Sequence, residues 1–257
     1  MPLRHAPFEG VGVALVTLFD RAGELDAGAT GAHAARLVDA GIRGVLIAGT
    51  TGEAFTLDAD ERDRLLVGVR DAVGGRAPVV AGTGAPSTRQ AVTLSRRAAD
   101  AGADALLVLP PHGCEDPRPY FDAVVAAVPD LPVLAYHFPP SSAPGIPLDA
   151  LAELPVAGLK DSTGDPVRLA VEADLLGTGL YTGSAAILLQ AKAMGASGAL
   201  VALANVDPGG CIQAWNGDGG CQRELVNGHR AGAGTGIAGI KRAMADLYGT
   251  SRVTRVG

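Results

Sequence analysis

A short apolar run followed by a longer segment with polar residues at helical spacing recurs eight times along this chain from residue 11 onward. That alternation is the pattern of parallel strands joined by helical crossovers. It predicts strands at 11–18, 44–48, 78–82, 105–109, 132–137, 156–160, 180–183 and 198–203. Helices are predicted near 28–40, 58–73, 87–101, 117–128, 147–153, 165–176, 184–194 and 205–216. Asp58 and Ser87 suit N-cap positions, and Pro117 and Pro166 suit a first helical turn. Eight pairs without a long linker fit the α/β class as a closed (β/α)8 TIM barrel better than an open doubly wound sheet, in which the rhythm would break between halves. The barrel is expected over 9–217, with 218–257 as a shortened C-terminal helical segment packed on it, built from helices near 220–231 and 237–248.

Composition narrows the partners. Of 257 residues 47% are apolar and 19% charged, and mean hydropathy is +0.24, values that exclude a disordered chain. No apolar run reaches the ~18 residues that a membrane crossing needs, so no membrane partner is expected. The 21 basic and 27 acidic residues give a net charge of −6, and no basic cluster is interleaved with aromatics. Nucleic acid is therefore not expected, and a small molecule is. The start of the chain lacks a basic stretch followed by an apolar one, and Cys114, Cys211 and Cys221 do not form a disulfide framework, which points to a reducing cytoplasm.

In a barrel of this kind the chemistry lies at the C-terminal ends of the strands. Strand six closes on Lys160, one of only three lysines beside 18 arginines, and its alternation with Val156 and Gly158 aims it into the barrel mouth. A desolvated primary amine is more often neutral, and the neutral form attacks a carbonyl carbon. The alternative for Lys160 is a side chain that snorkels to solvent or pairs with Asp161. Lys192 and Lys241 fall in helical patterns and are expected on a solvated face or in the packed tail. After strand two, Gly49-Thr50-Thr51-Gly52-Glu53 offers backbone N–H groups and two hydroxyls to a carboxylate, or is an ordinary glycine-rich loop. Strand five ends in Tyr136-His137-Phe138-Pro139. Tyr136 points inward, as a proton carrier or as a structural phenol, and His137 faces the helices.

Gly-Thr-Thr-Gly-Glu after strand two, Tyr-x-x-Pro after strand five and Gly-Leu-Lys-Asp-Ser-Thr-Gly-Asp around strand six stand in order on these elements. Together they resemble the dihydrodipicolinate synthase and N-acetylneuraminate lyase superfamily of class I aldolases, over about residues 9–217. The resemblance implies that Lys160 forms the Schiff base and Tyr136 transfers protons. It further implies that Thr50 joins the relay and that Thr51, with the loop amides from Gly49 onward, holds a carboxylate. Gly183 and Leu200 would line the keto-acid pocket. Pyruvate and an aldehyde are then the partners, no metal or organic cofactor is required, and a homotetramer or homodimer is expected.

Two departures bear on the aldehyde. The family's lysine-pathway synthases carry an arginine after Tyr-x-x-Pro, where this chain reads Pro139-Pro140-Ser141-Ser142. They also carry an aromatic pair after strand four, where this chain reads Pro110-Pro111-His112-Gly113. These differences favour a 2-keto-3-deoxy sugar acid as substrate over pyruvate with aspartate semialdehyde, the reaction of 4-hydroxy-tetrahydrodipicolinate synthase. His112 is the histidine to test in the relay. A non-catalytic keto-acid-binding barrel is the alternative outside enzymology, and a phosphate site at Gly183-Ser184 is a further one. His5, His33, His112, His137 and His229 are dispersed without His-x-His spacing, which argues against a metal enzyme. The G-x-G-x-x-G match from Gly234 to Gly239 follows no predicted strand and is read as chance.

Overall fold

A computed structural model describes residues 6–230 and 236–256, with the side chains of 228–230 left aside. Strands β1 (Gly10–Ala14), β2 (Val45–Ile47), β3 (Val79–Gly82), β4 (Ala105–Val108), β5 (Val133–His137), β6 (Gly158–Asp161), β7 (Leu180–Thr182) and β8 (Gly198–Val201) pair in parallel and in chain order. β8 returns to β1 with Gly12 opposite Leu200, so the sheet closes into the expected TIM barrel. Between the strands run α1 (Ala27–Asp39), α2 (Ala59–Val73), α3 (Thr88–Asp100), α4 (Arg118–Ala127), α5 (Leu148–Glu153), α6 (Pro166–Leu176) and α7 (Leu188–Ala193), and α8 (Pro208–Trp215) follows the last strand. The tail adds α9 (Gly219–Arg230) and α10 (Gly236–Tyr248). Gly234 and Thr235 of the glycine run, His5 and the His229 side chain lie outside the described residues.

The local signals act as their chemistry dictates. Asp58 caps α2 in a reciprocal capping box with Glu61, Ser87 accepts from Gln90 N at the start of α3, and Pro166 opens α6. Differences are confined to element ends. The first run is expected to be a strand to residue 18, but β1 stops at Ala14: Leu15 N still donates to Leu46 O at 2.9 Å, and the amides beyond it turn to side chains. Val16 N donates to Asn205 Oδ1 at 3.2 Å and Leu18 N to Thr30 Oγ1 at 2.9 Å. The start expected at 184 becomes a 3₁₀ turn, Ala185–Ile187, before α7. The helix expected from 205 begins at Pro208, capped by Asp207, after a second 3₁₀ turn, Ala202–Asn205.

Two apolar layers result. One, including Val13, Val45, Val79, Leu106 and Val133, is sealed by the helices. The inner one holds Leu46, Val80, Leu107, Leu134, Tyr136, Tyr181 and Leu200, with Phe8 at the N-terminal end. The Tyr181 hydroxyl donates to Phe8 O at 2.5 Å, so the lower end of the barrel is filled and the open end is the one that carries the strand C-termini. Among the described residues no helix is long and apolar enough to cross a membrane.

Candidate active site

A cleft of about 1160 Å³ lies over the ends of β2 to β5. Gly49 and Thr50 form part of its wall, as do Tyr136, His112 and Ser141. The cleft approaches the barrel closely at Gly82, where a Cβ would stand 2.1 Å from Ala48 O, so only glycine lets the β2 turn pack there.

The turn itself is held from below. Thr17 Oγ1 donates to Gly52 O at 2.7 Å, and the two non-glycine residues with positive φ among the described residues, Ala48 at 47° and Glu53 at 54°, bracket it. Glu53 N donates back to Thr50 O and Ala54 N to Gly49 O. Among the described residues, no partner within the chain takes up the amides of Thr50 and Thr51. Successive unpaired N–H groups in such a turn suit an anion.

Lys160 pairs in register with Tyr136 on β5 and is 4% exposed. Its Nζ lies 4.5 Å from the centroid of the Tyr136 ring and has no hydrogen bond or ion pair among the described residues. Both alternatives for this lysine are thereby removed. It does not reach solvent, and Asp161 points the other way, to Arg168 Nε at 3.1 Å and to Thr163. Lys160 is not in the wall of the cleft, whereas the Tyr136 ring against which its amine lies, stacked at 5.9 Å on Phe138, is. A Cβ on Gly183 would lie 2.9 Å from Lys160 Cε and 1.8 Å from Ser162 Oγ, so Gly183 leaves the room beside the lysine stem.

Lys160, Tyr136 and Gly183 thus come together, and Thr50 and Gly49 share the cleft with Tyr136. Thr50 and Tyr136 are not hydrogen-bonded to each other. Thr51 and Leu200 do not line the cleft; Leu200 is wholly buried in the inner layer, where the space above Gly12 is filled by Leu200 and Phe8. His137 faces the helices as expected, its Nδ1 accepting from Ile146 N at 2.8 Å, and burial pushes its pKa down to about 4. Sequence reasoning passed over Ser162, Arg62 and Arg89. Ser162 is legible in the strand-six motif as the next inward position after Lys160, whereas the two arginines, which line the cleft, carry no sequence signal. It also gave no role to Glu53, whose carboxylate is buried on Lys241 at 2.6 Å. Lys241 belongs to the packed tail, while Lys192 is exposed.

The sequence profile of the dihydrodipicolinate synthetase family matches residues 7–219. A 4-hydroxy-tetrahydrodipicolinate synthase of Corynebacterium aurimucosum is 40% identical over 211 residues, covering 78% of this chain and 69% of the relative. The structure of dihydrodipicolinate synthase from Aquifex aeolicus superposes with a TM-score of 0.87 at 29% identity, covering 97% of this chain and 91% of the other. That of the chloride-inhibited dihydrodipicolinate synthase from Acinetobacter baumannii, complexed with pyruvate, has a TM-score of 0.86 at 27% identity and covers 97% and 92%. With the profile spanning most of the barrel, the chain belongs to the dihydrodipicolinate synthetase family, whose members are Schiff-base, pyruvate-dependent carbon–carbon lyases.

Proposed function

We propose that this protein condenses pyruvate with aspartate semialdehyde through an imine on Lys160, the reaction of a 4-hydroxy-tetrahydrodipicolinate synthase. The observation that carries the chemistry is the buried, unpaired amine of Lys160 against the Tyr136 ring and beside Gly183. A rotamer change takes the amine off the ring toward the cleft. Its lone pair adds to C2 of pyruvate, and the carbinolamine loses water to leave an iminium. The iminium draws electrons from C3, which gives up a proton and becomes the nucleophilic carbon of an enamine. That carbon attacks the aldehyde carbonyl, whose oxygen takes a proton; the amino group of the bound semialdehyde then adds to C2 and displaces the Lys160 amine, which closes the ring imine and frees the lysine.

Tyr136 is assigned as the proton carrier and Thr50 as its hydroxyl partner; their contact forms when substrate draws the cleft together. The free amides of the turn, with Thr51, are assigned to the keto-acid carboxylate, which places its charge against fixed dipoles. The aldehyde is named on the strength of relatives such as the 4-hydroxy-tetrahydrodipicolinate synthases of Corynebacterium aurimucosum and Salinibacter ruber, rather than on the sugar-acid expectation drawn from residues 139–142. A 2-keto-3-deoxy sugar acid is kept as a second reading because Ser141 and His112 present exposed polar groups in the cleft wall where that reading needs them. We assign the working form to a homodimer or homotetramer, and its free thiols fit a reducing cytoplasm.

Borohydride reduction in the presence of pyruvate tests the chemistry by intact-mass and peptide analysis. The expected result is a reduced pyruvyl adduct on Lys160, absent from Lys160→Ala. No mass gain in the wild type, or full turnover by Lys160→Ala, rejects it. Product formation from aspartate semialdehyde set against pyruvate release from 2-keto-3-deoxy acids then decides the aldehyde.

A further inference from the structure

We propose that Arg168, on α6 behind the barrel wall, is a positioning residue for imine formation: its guanidinium clamps β5 to β6 one residue beyond Tyr136 and Lys160. The inference rests on the imine reading above and adds to it a residue whose hydrogen bonds reach neither the amine nor the cleft. Along the β5–β6 seam Tyr136 stands opposite Lys160, and the next opposed pair is His137 and Asp161. The first pair faces the barrel interior and the second the helices. Whatever fixes the outer pair therefore fixes the backbone from which the inner pair hangs.

The guanidinium reaches both strands. Its Nε donates to Asp161 Oδ2 at 3.1 Å and to Glu172 Oε1 at 2.7 Å, while Nη2 donates to Ile146 O at 2.8 Å. Ile146 N in turn donates to His137 Nδ1 at 2.8 Å. The loop that carries Ile146 is pressed against β5, since a Cβ at Gly145, where φ is +86°, would stand 2.5 Å from His137 Cε1. Asp161 passes the constraint on. Its Oδ1 accepts from Thr163 N at 2.6 Å and from Thr163 Oγ1 at 2.5 Å, which closes β6, and its backbone O accepts from Gly183 N at 2.5 Å. Gly183 is the residue that leaves room beside the lysine stem, so clamp, strand end and that room form one connected piece. Stability alone does not explain the arrangement. The Asp161 and Glu172 side chains are buried and that of Arg168 nearly so, and burying ionisable groups costs about as much as their attraction returns, so apolar residues would hold the helix as well. What apolar residues lack is direction, which the planar fork of the guanidinium supplies.

The experiment follows the borohydride-trapped pyruvate adduct in single turnovers over a range of pyruvate concentrations. The proteins are the wild type, Arg168→Lys, Asp161→Asn, the double variant and Leu169→Ala. Arg168→Lys keeps the charge and loses the fork. It is expected to lower the maximal rate of adduct formation about tenfold or more, since misplacing a reacting group by about 1 Å costs as much. The pyruvate concentration that gives half the maximal rate should stay within about twofold, because the amides assigned to the carboxylate lie on the β2 turn. Asp161→Asn keeps an acceptor for Thr163 and leaves Arg168 on Glu172, so it should fold even where Arg168→Lys does not, and it should slow the adduct in the same way. The double variant should be no slower than the slower single one. Leu169, buried in the core on the same helix, is the control: Leu169→Ala should melt earlier yet reach the wild-type maximal rate. A wild-type maximal rate in Arg168→Lys or Asp161→Asn overturns the proposal, as do additive losses in the double variant or equal slowing in Leu169→Ala. An adduct that forms in the wild type and no more slowly in the variants removes only the role of Arg168, whereas no adduct in the wild type removes the imine reading and this inference with it.

Discussion

A Cβ on Gly183 would overlap the Ser162 hydroxyl at 1.8 Å and press Lys160 Cε at 2.9 Å. The first clash is with the far end of a small side chain, which can rotate, so Gly183→Ala should fold. The second is with the stem that must move for the amine to leave the Tyr136 ring. Adduct formation with pyruvate should therefore slow at least about tenfold in Gly183→Ala, since misplacing a reacting group by about 1 Å costs as much or more. Trapping kinetics by mass spectrometry check this, and an unaltered rate in Gly183→Ala would mean that the lysine does not use this space. At this scale the sequence was readable: the period of two along strands β5 and β6 decides which side chains enter the barrel, and it put Tyr136 and Lys160 inward and His137 outward, where all three are found.

The β2 turn and the tail are locked together as elements. Glu53 Oε1 accepts from Lys241 Nζ on α10 at 2.6 Å, both side chains being fully buried, and Glu53 Oε2 accepts from Arg255 N at 2.8 Å. Lys241 also donates to Val253 O, and Arg255 forks onto Glu61 on α2 and lies 4.3 Å over the Phe19 ring. Removing either member of a buried pair strands a charge, which costs about 3–5 kcal/mol. Lys241→Met and Glu53→Gln should each lose stability of that order in urea unfolding, and the double variant should lose less than the sum of the two. Because Glu53 closes the turn, each single variant should also weaken pyruvate binding while the double variant regains part of it. Additive losses would show that the two residues do not act as a pair. None of this was legible beforehand. The partners lie 188 and 202 residues apart, and a lysine in a helical pattern reads the same whether its face meets water or a buried carboxylate. The cleft arginines were hidden for a related reason, since loops from several strands make that wall and no local period runs through it.

Across the whole molecule, a few buried titratable groups set how stability depends on pH. His33 and His137 are held at about 4 against an ordinary 6.5, burial being the main cause and the positive charges of Arg36 and Arg168 respectively the next. Between pH 4 and 6.5 the unfolded chain binds protons that the folded one refuses, so stability rises with pH there. Glu172 acts in the opposite sense. It is wholly buried, and it shares the Arg168 guanidinium with Asp161, at 2.7 and 3.1 Å. Burial first, then the charge of Asp161, push it up to about 8 from 4.5. The folded protein keeps that proton while the unfolded chain has lost it, so this group withdraws stability as pH rises from 4.5 to 8. Below 6.5 two histidines oppose one carboxyl and the net slope is upward; above it the carboxyl acts without them and the slope turns down. Stability is expected to peak at a pH of about 6.5 and to fall toward pH 8. Glu172→Gln, which keeps the shape of the protonated carboxyl and cannot ionise, should flatten the alkaline limb and leave the acid limb in place. Urea midpoints measured at half-unit steps from pH 5 to 8.5 decide it, and a wild-type curve that keeps climbing to pH 8 would show that Glu172 is ionised in the folded protein and that the Arg168 pair carries both carboxylates.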